Sequence, residues 1–365
     1  MNSEKKPYFG SLDTLRTYAF LLVFISHAYF SFFKVTNFGT RWFAHGEVGV
    51  QMFFVLSAFL ITYLSLSEYK KTGDFSVGNF FKKRILRIWP VYFLVLSISY
   101  VWHNVSTPGE SIGCMYRFVY FLGNTCILTG LPNTVGVGSV GPLWSISVEQ
   151  QFYILFPIVL MVYIIGTQTY KPKVLRSIIH VVLWSMFAYG LYARYIQSDN
   201  WNYVSYSIFS SVPAFISGMY LAYLLHIRAR CITHIQKNAH VYALSAVISF
   251  ISFLYIKFTG AIGISLYILP VIYTTCIWII LATDTKGSVE QVSPGYHAKI
   301  TRHLGKISYG LYAYHMFAII VVQALFGRGM SILESVLAFS ITIVFAQISY
   351  TYIESFFLKF KKSML

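Results

Sequence analysis

Long apolar runs separated by short polar, mostly basic connections dominate this chain. A helix that crosses a bilayer needs about 20 mostly apolar residues. Ten stretches approach that length: 17–33, 48–67, 88–103, 144–166, 178–193, 204–225, 239–256, 261–283, 307–327 and 335–353. An eleventh, 118–131, is shorter and is broken by Gly123, Asn124 and Gly130. The first run leads straight into Ser31-Phe32-Phe33-Lys34 with no small-residue cleavage pattern, so it reads as a span rather than a signal peptide. The pattern predicts an all-α, polytopic membrane helix bundle of about ten transmembrane helices, organised as a single membrane domain over 1–365. No internal repeat or separate soluble domain is visible. The longest inner connection, 284–306, is too short for a catalytic domain, so any chemistry must lie within the bundle.

Composition agrees. Of 365 residues, 56% are hydrophobic and 11% charged, where a soluble domain carries about 25% charged residues. Such a chain cannot cover a water-facing surface. Lys and Arg number 28 against 12 Asp and Glu, and they flank apolar runs, which points to a lipid bilayer and not to nucleic acid. With the amino terminus inside and 118–131 not crossing, 22 Lys and Arg fall on the inner side and 6 on the outer. Letting 118–131 cross would leave 12 inside and 16 outside. The positive-inside rule therefore predicts that both termini are cytoplasmic. It also makes 104–143 an outer loop whose piece 118–131 is re-entrant or surface-lying and buried in protein, because lipid cannot satisfy broken backbone.

Ionisable groups inside spans are functional candidates. His27 and Glu149 are the clearest, with His180 and His315 weaker. Arg16 and His27 are eleven residues apart, which places both on one helix face about 16 Å apart along the axis. Counted from the outer ends of their runs, His27 and Glu149 each lie about 9 Å down, the equal depth that a base and its orienting carboxylate require. Ser145 shares a face with Glu149. Arg84 and Arg87, three apart at the cytoplasmic start of the third run, have the fork that grips phosphate, although anchoring to anionic lipid explains the same charge. No Cys/His spacing suits a metal, so no metal site is expected. Cys114 and Cys126 fall in the outer loop and either pair or remain two free thiols.

Taken in order, these segments resemble the acyltransferase-3 family of integral membrane acyltransferases. Leu12-Asp13-x-x-Arg16 followed by His27 is similar to its Arg-x10-His signature. Val48-Gly49-Val50 with Phe53-Phe54-Val55-Leu56-Ser57 resembles its second span, and Arg84-x-x-Arg87 its cytoplasmic pair. Trp144-Ser145-Ile146-Ser147-Val148-Glu149 resembles its most specific block, Gly305-Lys306-Ile307-Ser308-Tyr309-Gly310-Leu311-Tyr312-x-x-His315 the late block, and Ile353-Glu354 the carboxy-terminal one. Ala58, Gln150 and Ser355 depart from the usual Gly, Glu and Arg. Ending at Leu365, the chain resembles the stand-alone type without an SGNH domain.

The resemblance implies a membrane O-acyltransferase, commonly O-acetyl, of the bacterial inner membrane. Its donor would be cytoplasmic acyl-CoA, bound as a co-substrate with no permanent cofactor. Its acceptor would be a hydroxyl of an extracytoplasmic glycan or lipid-linked sugar. Arg16, Arg84 and Arg87 would hold the CoA end. His27 would be the base, or the nucleophile of an acyl-histidine route, with Glu149 orienting it. Trp144, Ser145, Ser147, Tyr309 and His315 are substrate or oxyanion candidates. The competing class is a transporter of glycan or acyl intermediates, which explains polar groups in a bundle but not arginines aligned with a distant histidine.

Overall fold

The computed structural model describes residues 10–32, 46–106, 113–129, 138–168, 172–198, 200–259, 267–283, 296–327 and 330–363. Among these, every regular element is a helix. In order they are α1 (Gly10–Phe32), α2 (Gly46–Thr72), α3 (Val77–Ser106), α4 (Tyr116–Val119), α5 (Gly123–Leu128), α6 (Trp144–Gln168), α7 (Pro172–Ile196), α8 (Trp201–Tyr206), α9 (Ile208–His226), α10 (Arg230–Lys237), α11 (Ala239–Thr259), α12 (Ile268–Ala282), α13 (Tyr296–Lys306), α14 (Ser308–Phe326), α15 (Ile332–Ile348) and α16 (Ser355–Ser363). Each of the ten apolar runs carries a helix. Residues 261–266 of the eighth run lie outside the described residues, as do Lys5, Lys6, Lys34, Arg41, Lys171, Lys286 and Arg328 of the charge tally.

Among the described residues, six helices are long and apolar enough to cross a membrane, or seven if α10 and α11, bent by 90°, count as one span. α1 and α7 have the length, 23 and 25 residues, but include charged turns at their ends. Large apolar side chains such as Ile158, Ile165, Val181, Trp184, Leu244 and Ile251 face outward. Water would not tolerate so much exposed apolar surface, whereas lipid tails match it. The chain is a multi-pass membrane protein.

α2 is the central helix, buried along its length and packed against α1, α9 and α12. The contact with α9 depends on Gly218, where an added Cβ would sit 2.3 Å from the Val55 carbonyl oxygen. Backbones meet there directly, as they do at small-residue crossings in membranes. The main core runs through Leu15, Phe20, Phe59, Tyr92 and Phe156.

Between α3 and α6, the described residues form α4 and α5, of four and six residues, too short to span. Cys114 and Cys126 are joined by a disulfide with their Cα atoms 5.7 Å apart. Phe118 and Cys126 are fully buried. Tyr92 donates to the Phe118 carbonyl (2.7 Å), and Gln151 donates to the Phe121 carbonyl and to Asn124 Oδ1 (both 2.9 Å). Residues 107–112 and 130–137 of the expected outer loop lie outside the described residues. The short helices close over the start of α6, which is sunk in the bundle with Val140, Leu143 and Trp144 all buried.

Candidate active site

Four basic side chains converge on one cavity. It has a volume of about 360 Å³, and Arg16 of α1, Arg84 and Arg87 of α3 and Lys306 of α13 are among its lining residues. Arg16 is held by its own helix, where Asp13, one turn earlier, accepts a 2.7 Å ion-paired hydrogen bond. α13 fixes that turn from outside. A Cβ on Gly305 would lie 1.9 Å from the Asp13 carbonyl oxygen, so only glycine allows this approach. The Arg84 guanidinium lies 5.8 Å from the centroids of both Phe80 and Tyr153, and its Nε is buried without a hydrogen-bond partner. A half-buried guanidinium with an unused, buried Nε–H suits an anion. Arg87 lies within electrostatic range of Arg16 and of Glu354. Four cations against the three carboxylates Asp13, Glu149 and Glu354 leave the lining with an excess of positive charge.

The carboxylates sit among these cations. Glu149 accepts a short hydrogen bond from the Tyr153 hydroxyl, one turn away on the same face, and lies within electrostatic range of Arg84. Glu354, within a π-helical turn at Ser349–Glu354, also lines the cavity. Tyr350 comes from the same turn, and such turns re-aim side chains at functional sites.

Further along the cavity, its wall is formed by Val50, Phe53 and Phe54 of α2, Ser145 of α6 and Tyr312 of α14. Ser145 and Tyr312 share a 2.7 Å hydrogen bond between hydroxyls. Behind Tyr312 lies His315, fully buried, with ring centroids 5.5 Å apart. His315 Nε2 is 3.3 Å from His27 Nδ1. His315 thus lies between Tyr312 of the cavity wall and His27, while Glu149 lies within electrostatic range of Arg84.

Glu149 lies beside Tyr153 and Arg84, and His315 lies beside His27. Counting residues along a run places a side chain on its own helix and does not show which other helix it meets. Among the other expected residues, Tyr309 donates to the Ile88 carbonyl (2.7 Å) and lines the cavity. Ser147 accepts from the Gly123 amide (3.3 Å), tying α5 to α6. Trp144 packs edge-on against Tyr206 and Phe54. His180 packs on Tyr220 and Tyr223 in a separate apolar pocket.

Sequence reasoning missed Lys306, Tyr312 and Tyr350 as lining groups; Lys306 and Tyr312 stood inside the late block beside Tyr309 and His315. It also missed a buried ion pair away from the cavity. Arg194, counted as an outer-loop charge, is fully buried and lies 3.2 Å from Glu47. Arg194 also donates to the carbonyls of Val204 (3.1 Å) and Ser210 (3.2 Å), while Tyr267 and Ser205 donate to Glu47. An acid and a base at the ends of two apolar runs were the signal that could have found it.

The bundle thus carries a cavity rich in cations, with Tyr312 of its wall packed against the His315–His27 pair. Residues 9–351 match the family described as Acyltransferase domain, and the chain belongs to that family. It is 24% identical over 364 residues to the peptidoglycan O-acetyltransferase OatA of Listeria monocytogenes, a match covering 96% of this chain and 56% of that protein. It is 24% identical over 368 residues to O-acetyltransferase OatA of Staphylococcus aureus, covering 95% of this chain and 57% of the relative. The chain thus spans little more than half the length of these relatives. No solved structure matches it.

Proposed function

We propose that this chain is a membrane O-acetyltransferase of the bacterial cytoplasmic membrane. It takes an acetyl group from acetyl-CoA at the cytoplasmic face and passes it to a hydroxyl of an extracytoplasmic glycan, in polysaccharide or cell-wall modification. The observation that carries this reading is the cavity that gathers Arg16, Arg84, Arg87 and Lys306 at one end and approaches the His27–His315 pair at the other. The names of the relatives, with peptidoglycan as the stated acceptor in one of them, support O-acetyl transfer to glycan.

In this mechanism Arg84, Arg87 and Lys306 grip CoA phosphates as charge-assisted donors. Arg16, oriented by Asp13, guides the arm. Val50 to Leu64 of α2 line about 21 Å of the wall, a length that suits a thin extended arm. Glu149 balances the cations beside Arg84 and keeps Tyr153 in place. Neutral His27 accepts the proton of the acceptor hydroxyl as the oxygen attacks the thioester carbon. The carbon–sulfur bond then breaks, and the thiolate takes that proton back from the imidazolium, leaving an ester and free CoA. Ser145 and Tyr312, whose hydroxyls bond the Pro142 carbonyl and each other, turn from it to donate to the developing oxyanion. Trp144, Ser147 and Tyr309 support the wall.

The test uses purified protein in lipid nanodiscs with acetyl-CoA and soluble peptidoglycan fragments. CoA release and acetyl-ester formation should appear together. Failure to bind or consume acetyl-CoA in folded protein would refute the enzyme reading and leave transport as the alternative.

A further inference from the structure

Two backbone carbonyls determine the protonation pattern of the histidine pair. His315 Nδ1 lies 2.6 Å from the Tyr312 carbonyl oxygen, and His27 Nδ1 lies 2.9 Å from the Val23 carbonyl oxygen. A carbonyl oxygen only accepts, so each Nδ1 carries a hydrogen. In a neutral imidazole the other nitrogen is then bare. His315 Nε2 therefore presents a lone pair, and it faces His27 Nδ1–H at 3.3 Å. The same hydrogen is shared between Val23 and His315. Nε2 is left as the basic nitrogen of His27.

We infer that His315 is the positioning residue of His27, holding it in the Nδ1–H tautomer and stabilising the imidazolium that forms during transfer. This inference rests on the reading of His27 as the base. It gives His315 the place that a carboxylate holds in a Ser-His-Asp triad, and it is a neutral group that does so. When His27 Nε2 takes the hydroxyl proton, the Nδ1–H becomes a cationic donor, and its bond to the His315 lone pair becomes charge-assisted. No proton passes to His315 and no bond changes there. A neutral partner suits the location. His315 is fully buried, with Phe20 edge-on at 6.1 Å and Tyr312 beside it. A carboxylate in that shell would be a buried charge, uncompensated whenever His27 is neutral.

The test compares three substitutions in protein reconstituted with acetyl-CoA and soluble peptidoglycan fragments. His315→Phe keeps the ring volume and removes the lone pair. It should lower kcat by roughly 10- to 150-fold, the loss of one hydrogen bond to a charged group, with KM for acetyl-CoA unchanged. His315→Gln restores an acceptor near the Nε2 position and should recover most of kcat. His315→Asn places its amide near the Nδ1 position, keeps only the Tyr312 contact and should not. In a His27→Ala background, His315→Phe should have no further effect, since it acts through His27. An Asn variant as active as the Gln variant, or additive losses in the double mutant, would overturn the inference and make His315 a packing residue. Should His315→Phe fail to fold, the Gln-against-Asn comparison decides alone. Normal turnover in His27→Ala itself would instead refute the mechanism proposed above, a distinct and separately visible outcome.

Discussion

In the proposed reaction Arg87 and His27 do different work, and their substitutions should fail in different ways. Arg87→Ala removes a charge-assisted phosphate contact worth about 1.5–3 kcal/mol, or roughly 10- to 150-fold in acetyl-CoA affinity. The deficit should shrink at saturating donor. Arg87→Lys should recover only part of it, because an ammonium cannot form the bidentate fork. His27→Ala should leave calorimetric CoA binding close to wild type yet lower transfer by about 10²–10⁴-fold at every donor concentration. Loss of CoA binding in folded His27→Ala would show that His27 helps to hold the donor and would overturn this division of roles. His27 was legible as a lone imidazole in an apolar run. Its partner was not, because His315 is 288 residues away. Helical periodicity orders side chains within one helix and says nothing of the register between two. Glu149 illustrates the same limit, since its place along α6 does not reveal that Arg84 of α3 lies near it.

At the level of elements, the contacts that matter join helices far apart in sequence. Gly305 lets α13 touch the turn of α1 that holds Asp13 and Arg16. Gly305→Val should push α13 off α1, so acetyl-CoA KM should rise while α2–α9 packing, remote from it, keeps the protein in the membrane. An unchanged KM would show that α13 is free to shift without moving Arg16. The Glu47–Arg194 pair ties the start of α2 to the end of α7, with Tyr267 at the head of α12 and Ser205 of α8 attached. Breaking a buried pair strands a charge, so Arg194→Ala should destabilise by about 3–5 kcal/mol. Glu47→Ala added to it should restore part of that loss. Thermal unfolding of the single and double variants measures the coupling, and strict additivity would contradict it. The helices themselves were readable from apolar runs, because bilayer thickness dictates their length. α4 and α5 were only glimpsed as a broken stretch, since glycines and a disulfide, not periodicity, shape them.

At the scale of the whole molecule, the proposed reaction needs two faces. Arg84, Arg87 and Lys306 line the cavity, and the charge asymmetry of the sequence assigns them to the cytoplasmic side. CoA carries several phosphate charges and cannot cross a lipid bilayer unaided, so donor and acceptor must meet from opposite sides. Two exposed positions report the orientation: Lys173 at the start of α7, and Asn200, which caps α8 at the other end of that helix. In right-side-out vesicles, an impermeant thiol reagent should label Asn200→Cys and spare Lys173→Cys, and inverted vesicles should reverse the result. Both variants are made with Cys231 and Cys276 replaced, the thiols outside the disulfide. Inverted vesicles with soluble peptidoglycan fragments sealed inside should then acetylate them from acetyl-CoA added outside. Right-side-out vesicles with the same fragments outside should do so only when acetyl-CoA is enclosed. Transfer with both substrates on the same face of sealed vesicles would mean that the cavity and His27 share one aqueous side, and the bundle would then be a surface enzyme held in the membrane.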